Sequence, residues 1–381
     1  MAHLTALASA HERAGARMVT FAGWQLPVQY RSVLEEHRAV RSAAGMFDVS
    51  HMMITDFSGE GASAWLRELL CSDVATLKEP GAGRYTCALN PEGGVIDDLI
   101  VFRRPSRNGK AAWRTVSNAG TRERVGAWFD ERLRAWDGPE LVRTQRDDLS
   151  MIAVQGPHAV DRSMPVLAAT LGGSDDRSLD GLPRFHALEA GEIFISRTGY
   201  TGEDGVEVCL PHDQVMPLWD RLQREARVEP CGLAARDVLR LEAGLNLHGS
   251  DMDEATRPQE VGLRWLLDLE DAQREFVGRA AVDPARDAAP SRFLRRGLRL
   301  VEKGVPRAGC EVLAGAQSDG AVVVGTITSG SFSTSLGHGI ALWRMQGDAR
   351  EAVEAGGLFV QIRQRRVRAE LTAPPFVRAG A

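Results

Sequence analysis

Apolar residues recur three to four apart across residues 31–41, RSVLEEHRAVR, which predicts a helix. The same spacing marks GASAWLRELL at 61–70, TRERVGAWFDERLRAW at 121–136, DQVMPLWDRLQREA at 213–226 and RDVLRLEAGL at 236–245. Between them lie strand-like runs. Met52 to Phe57 is one, and Gly81 to Asn90 is another. The turn Pro91-Glu92-Gly93-Gly94 then leads into VIDDLIVFRR, so 84–103 is predicted to be a hairpin with a four-residue loop. MIAVQGP reads as a strand ending at a turn, and EIFISRTGYTGEDGVEVCL as a hairpin whose turn carries Gly199, Gly202 and Gly205. Hairpins followed by helices predict an α+β fold, not a doubly wound parallel sheet.

Near residue 280 the pattern changes. VDPARDAAPSR is rich in Ala, Pro and Asp and reads as a linker, placed at 281–292. Short strands separated by glycine turns follow it, which predicts a small β-barrel or sandwich over 293–381. Residues 1–280 are left for the larger α+β part. A chain of 381 residues exceeds one ordinary core, in keeping with two or three domains.

A net charge of −5 gives the chain no electrostatic reason to seek nucleic acid or an anionic membrane. No apolar run approaches the ~20 residues that span a bilayer, and the opening MAHLTALASAHERAGARM reads as a helix leading into the fold. Five cysteines, odd in number and scattered, argue against a disulfide framework and fit a reducing cytoplasm. The nine histidines lack metal-ligand spacing, so no metal site is expected.

A few polar residues invite a chemical reading. Asp97-Asp98 interrupts an apolar strand, and alternation sends one outward and the other into the interior or a cleft. The pair can equally cap the nearby turn. Tyr85 lies on the partner strand of the same hairpin, near the carboxylates; packing alone also accounts for it. Glu207, beside Val206 and Val208, shares a face with Cys209 and needs a donor if that face is covered. Arg236 and Arg240, one helical turn apart, can grip carboxylates or pair with Asp237 and Glu242. His51, among apolar neighbours, is read as a structural histidine. The loop S-R-T-G-Y-T-G-E-D-G is neither a P-loop nor a dinucleotide fingerprint, since it leads into a strand.

Several strings together carry more than any residue alone. G-M-F-D-V-S-H-M at 45–52, G-G-V-I-D-D-L-I-V at 93–101, S-R-T-G-Y-T-G-E-D-G-V-E at 196–207 and G-L-A-A-R-D-V-L-R-L-E-A-G-L at 232–245 resemble the aminomethyltransferase family, the T-proteins of glycine cleavage systems. So do G-A-R-M-V-T-F-A-G-W at 15–24, Q-G-P at 155–157, H-G-S-D-M-D-E at 248–254 and T-S-G-S-F-S at 328–333, all in the family's order. Ser333-Thr334 stands where a serine-proline is usual, and the chain stops soon after P-P-F-V.

The resemblance implies three domains in a clover-like arrangement: two interleaved α+β domains and a C-terminal β-barrel. It implies transfer of the carbon of an aminomethyl group from the lipoyl arm of a carrier H-protein to tetrahydrofolate, with ammonia released and no metal needed. By match of position, Asp98 corresponds to the family's key carboxylate beside the reacting folate nitrogens. Met52, Tyr85, Asn118 and Tyr200 match folate-pocket positions, and Glu207 and Arg236 match polar contacts of the folate. The scaffold also serves folate-dependent demethylases, and non-catalytic folate-binding proteins of iron–sulfur assembly. The latter carry a K-G-C-Y-x-G-Q-E-type motif, where this chain has R-T-G-Y-T-G-E-D.

Overall fold

Three sheets and their helices make up the first of two units, and a closed barrel forms the centre of the second. The computed structural model describes residues 2–171, 181–284, 291–315, 320–355 and 357–380. The first unit comprises Met1–Ala88 and Asp97–Arg236, with Gly380; the second comprises Leu89–Ile96 and Asp237–Ala379.

In the first unit, β1 (His3–Leu4), β3 (Trp24–Gln29) and β2 (Arg17–Phe21) form a small sheet in that order. A six-stranded sheet runs β11 (Ala187–Ala190), β12 (Ile193–Ser196), β13 (Gly205–Pro211), β10 (Leu149–Gln155), β4 (Gly45–Asp48) and β14 (Glu229–Pro230). A five-stranded sheet runs β6 (Gly83–Leu89), β7 (Val95–Arg107), β8 (Lys110–Ser117), β5 (Met53–Gly59) and β9 (Leu141–Gln145). All five strands of this last sheet fall in sequence between β4 and β10, so the two larger α+β layers are interleaved along the chain. The expected hairpin is present as β6 and β7.

The helices form where the apolar spacing places them. In His212–Arg224 the residues Val215, Leu218, Trp219 and Leu222 lie on one stripe and are all buried, packed with Ile152, Val154, Val208 and Leu210 of the six-stranded sheet. Val33–Ser42 starts at Ser32, whose Oγ accepts from the Glu35 N–H at 3.2 Å. Phe57 of the five-stranded sheet packs on Trp65 and Phe129 with ring centroids 5.3 Å away in each case. Asp56 receives the guanidiniums of Arg114, Arg104 and Arg146, and Arg104 also binds Glu189 of β11. Burial would raise the Asp56 pKa, but Arg114 and then Arg104 outweigh it and hold the carboxyl below its usual range.

The second unit holds the barrel, closed in the order β15 (Phe293–Leu300), β18 (His338–Gln346), β17 (Val322–Ser333), β16 (Glu311–Gly315), β19 (Gly357–Ile362) and β20 (Arg365–Leu371). Leu298, Val312, Ala341, Trp343, Val360 and Val367 fill it. Bulges between Val312 and Leu313 and between Ile327 and Ser329 let the strands curve. Of the stretch expected as a linker at 281–292, residues 285–290 lie outside the described residues, while Val282 is buried and closes a short helix, Arg279–Val282.

The opening is not simply a helix, since β1 precedes Ala8–Arg13. The helix expected from Arg236 starts earlier, at Leu233. No helix among the described residues is long and apolar enough to cross a membrane.

Candidate active site

Asp97 and Asp98 are carried side by side on β7. Asp97 is fully buried and Asp98 is partly buried. Alternation along β7 separates the pair, with Asp98, like Ile100, on the more open side of the strand. Asn118, one residue beyond the end of β8, bridges the two carboxylates. Its Nδ2 donates to Asp97 Oδ1 at 2.9 Å and to Asp98 Oδ1 at 2.8 Å, and its backbone N–H donates to Asp97 Oδ2 at 3.1 Å. Tyr85 on β6 donates its phenol O–H to Asp98 Oδ2 at 2.7 Å. Both oxygens of Asp98 therefore meet a donor from a neighbouring element. Burial, Asp98 and Cys87 push the Tyr85 pKa well up, so the phenol keeps its proton and remains a donor.

A second group sits on β13 and the helix Leu233–Glu242. Glu207 is buried, and its Oε2 accepts from the Thr198 hydroxyl at 2.6 Å; Thr198 in turn meets Ser196 Oγ at 2.8 Å. The donor that a covered glutamate requires is thus partly supplied by the protein. Arg236 lies over the rings of Tyr200 and Phe47, 5.1 and 5.6 Å from their centroids. Its Nη1 is buried without a hydrogen-bond partner. Burial lowers the Arg236 pKa against the pull of Glu207 and then Tyr200, yet a guanidinium keeps its charge. Tyr200 acts electrostatically on Tyr85, so the two groups share one neighbourhood. Arg240 departs from this picture. Within the second unit it is engaged by Asp251 at 2.9 Å, Asp237 at 2.8 Å and Ser329 at 3.0 Å, the structural pairing that its spacing also allowed.

The glycine-rich turn between β12 and β13 owes its shape to Gln155. That side chain donates to the Thr198 carbonyl at 3.1 Å and accepts from the Thr201 hydroxyl at 3.0 Å. A Cβ on Gly199 would lie 1.8 Å from Gln155 Oε1, which explains the glycine there.

Met52 and His51 follow β4, and the segment is anchored by buried Asp48. Its carboxylate accepts from Thr5 Oγ1 at 2.6 Å and the Ser50 N–H at 3.0 Å, and lies 2.9 Å from His11 Nε2. Burial works against the charge, but His11, Ser50 and Thr5 outweigh it and keep the Asp48 pKa low. Met52 is half-buried, and its carbonyl accepts from Arg122 at 3.5 Å. His51 is buried edge-on to Phe21, with ring centroids 5.7 Å apart, but its Nδ1 has no hydrogen-bond partner. It is a structural histidine in its burial and not in its hydrogen bonding. Burial lowers its pKa to about 4; Asp48 opposes this, while Arg236 and Arg122 add to it.

The structure therefore joins Tyr85, Asp98 and Asn118 by direct hydrogen bonds, and Tyr200 and Arg236 by stacking, with Glu207 acting on Arg236. Among the described residues the Met52 side chain makes no hydrogen bond to either group; only its backbone carbonyl is engaged, by Arg122. Sequence reasoning named Asp97 with its neighbour but gave it no role, and it passed over Thr198, Gln155 and Asp48. The Q-G-P string was the one available sign of Gln155, and nothing local marks Thr198 as a partner of Glu207. Among the described residues no group of three or more His, Cys, Asp or Glu is arranged to hold a metal ion, and all five cysteines are free thiols.

Two family models match the chain: the GCVT N-terminal domain over residues 7–271 and the glycine cleavage T-protein C-terminal barrel domain over 295–378. An aminomethyltransferase of Bordetella petrii is 46% identical over 377 residues, covering 99% of this chain and 96% of the relative. One from Bordetella avium is 46% identical over 379 residues, with the same coverage. The crystal structure of glycine cleavage system aminomethyltransferase T from Bartonella henselae superposes with a TM-score of 0.86 at 32% identity, covering 100% of this chain and 99% of that one. The strand pattern with its interleaved sheets, the terminal barrel and similarity along the whole length agree: the chain belongs to the glycine cleavage T-protein family and is an aminomethyltransferase.

Proposed function

We propose that the protein transfers the methylene carbon of an aminomethyl group, carried on the lipoyl arm of an H-protein, to tetrahydrofolate. The products are 5,10-methylenetetrahydrofolate, ammonia and the dihydrolipoyl carrier. The two hydrogens leaving the folate nitrogens balance the N–H of ammonia and the S–H of the carrier. The observation that carries this reading is the fixed acidic side chain of Asp98, clamped at 2.7 Å by Tyr85 and 2.8 Å by Asn118.

As the carbon–nitrogen bond to the leaving ammonia breaks, positive charge builds on the methylene carbon. A carboxylate already held in place stabilises that charge with little reorganisation, and it orients the folate amines. Glu207 offers its carboxylate to the donor edge of the pterin, with Thr198 fixing one oxygen. Arg236, seated over the rings of Tyr200 and Phe47, supplies donors for the acceptor groups of the folate, and Met52 lines the pocket. Residues 1–280 form the folate-binding region and 293–381 the barrel domain in this reading, with the enzyme in the cytoplasm. D98N is expected to keep tetrahydrofolate binding while ammonia release from aminomethylated carrier falls by about 10²–10³-fold, the range for removing a preorganised electrostatic group. Unchanged turnover in D98N would refute the role.

A further inference from the structure

Asp97 is a fully buried carboxyl beside the reacting side chain, and the reaction gives it no direct task. Both of its oxygens accept from Asn118. Oδ2 takes the backbone N–H of Asn118 at 3.1 Å and Oδ1 takes its side-chain Nδ2 at 2.9 Å. A grip at both backbone and side chain fixes the Asn118 rotamer and the sense of its amide, since the nitrogen must face the carboxyls. That same Nδ2 also meets Asp98 Oδ1 at 2.8 Å and the Asp98 carbonyl at 2.9 Å. The orientation of the amide that holds Asp98 is thus set from the far side by Asp97. We propose, resting on the reading of Asp98 above, that Asp97 is a positioning residue that aims Asn118 at Asp98.

The charge state of the pair follows from the same geometry. The Oδ1 atoms of the two aspartates bond one nitrogen, so they stand no farther apart than those two bonds laid end to end. Two negative charges at that range, one of them without water, are unfavourable. Asp97 faces Asp98 on its own strand, Cys87 on β6, and Asn118 and Thr121 beyond β8, with Tyr85 next on β6; no cation stands among the groups that act on it most strongly. Burial, and then the charge of Asp98, raise the Asp97 pKa well above the carboxylate range against the opposing bonds from Asn118 and Thr121. Burial and the neighbouring carboxylate thus both favour the protonated form of Asp97.

The full-length protein with tetrahydrofolate and aminomethylated carrier tests this. D97N keeps one acceptor but turns an amide N–H towards the other Asn118 donor, halving the grip. Tetrahydrofolate affinity is expected to stay near that of the wild type. The kcat is expected to fall about tenfold, the worth of one hydrogen bond. The alkaline limb of the kcat profile that reports Asp97 losing its proton disappears with the group. Because the effect passes through Asn118, the D97N/N118A double variant is expected to be no slower than N118A alone. Wild-type kcat and pH profile in D97N, or additive losses in the double variant, would overturn the proposal. Should D97N not fold, NMR of the wild type decides instead: the Asn118 side-chain amide protons are expected to be protected from solvent exchange, and a freely exchanging Asn118 amide overturns it. That measurement needs no turnover. A wild-type protein that neither binds tetrahydrofolate nor releases ammonia defeats the functional reading and leaves the Asn118 amide to be read by itself.

Discussion

Acidification from pH 8 to pH 5 is expected to weaken the fold through one buried ring. His51 is 5% exposed, lacks a partner at Nδ1 and feels the positive charge of Arg236 and Arg122. Its pKa falls from 6.5 to about 4 on folding, with burial the largest cause. The sign follows directly. Below pH 6.5 the unfolded chain takes up a proton that the folded protein refuses, so stability present above 6.5 is lost as pH falls, until the folded protein protonates near 4 as well. Each pH unit in that window costs about 1.4 kcal/mol, so between pH 6.5 and pH 5 the loss is about 2 kcal/mol. H51Q fills much of the same space and cannot titrate. Urea unfolding of wild type and H51Q, followed by tryptophan fluorescence at pH 8 and pH 5, isolates the effect as a difference of differences. H51Q is expected to gain about 2 kcal/mol on the wild type between the two conditions. A stability gap that stays the same at both pH values would show that His51 is solvated or paired in the folded protein and would refute the reasoning.

Two further outcomes follow from individual contacts. Y85F removes the 2.7 Å phenol donor to Asp98; hydrogen bonds to a charged group are worth about 1.5–3 kcal/mol, so kcat is expected to fall about 10–100-fold in the ammonia-release assay. G94A places a Cβ 1.7 Å from the backbone carbonyl of Glu254, within the second unit; overpacking against main chain is expected to destabilise by about 1–3 kcal/mol, read by calorimetry as a lower Tm.

The amphipathic helices were legible because a buried stripe repeats every turn, as Val215, Leu218, Trp219 and Leu222 do. The hairpin at 84–103 was legible from its turn glycines, and the barrel from strands punctuated by glycine. Alternation along β7 separates the two aspartates, Asp97 fully buried and Asp98 on the more open side. The partners of the site residues come from far along the chain. Asn118 reaches back twenty residues to the carboxylates, and Gln155 shapes a turn more than forty residues away. No spacing signals such pairs. Asp98, Glu207 and Arg236 were singled out because whole strings matched a family; their residue types alone left solvent-facing and structural readings open. Asp97 was named with Asp98 as a pair, but the matching string gave a role only to its neighbour.

Closure of the barrel has a consequence for synthesis. β15 ends at Leu300, and β20, the strand that seals its free edge through Leu298, Arg299 and Leu300, begins only at Arg365. At about 5–20 residues per second, a ribosome leaves that edge unpaired for several seconds. During this interval a hydrophobic strand margin is open to pairing with another nascent chain. Arg295, Arg296 and Arg299 break up the run of apolar residues along β15, and charges set into such a strand discourage edge-to-edge association. Translation stopping short of residue 365 would release a half-sealed cylinder with two live margins, so truncation at this end is a hazard to solubility before it is a loss of activity.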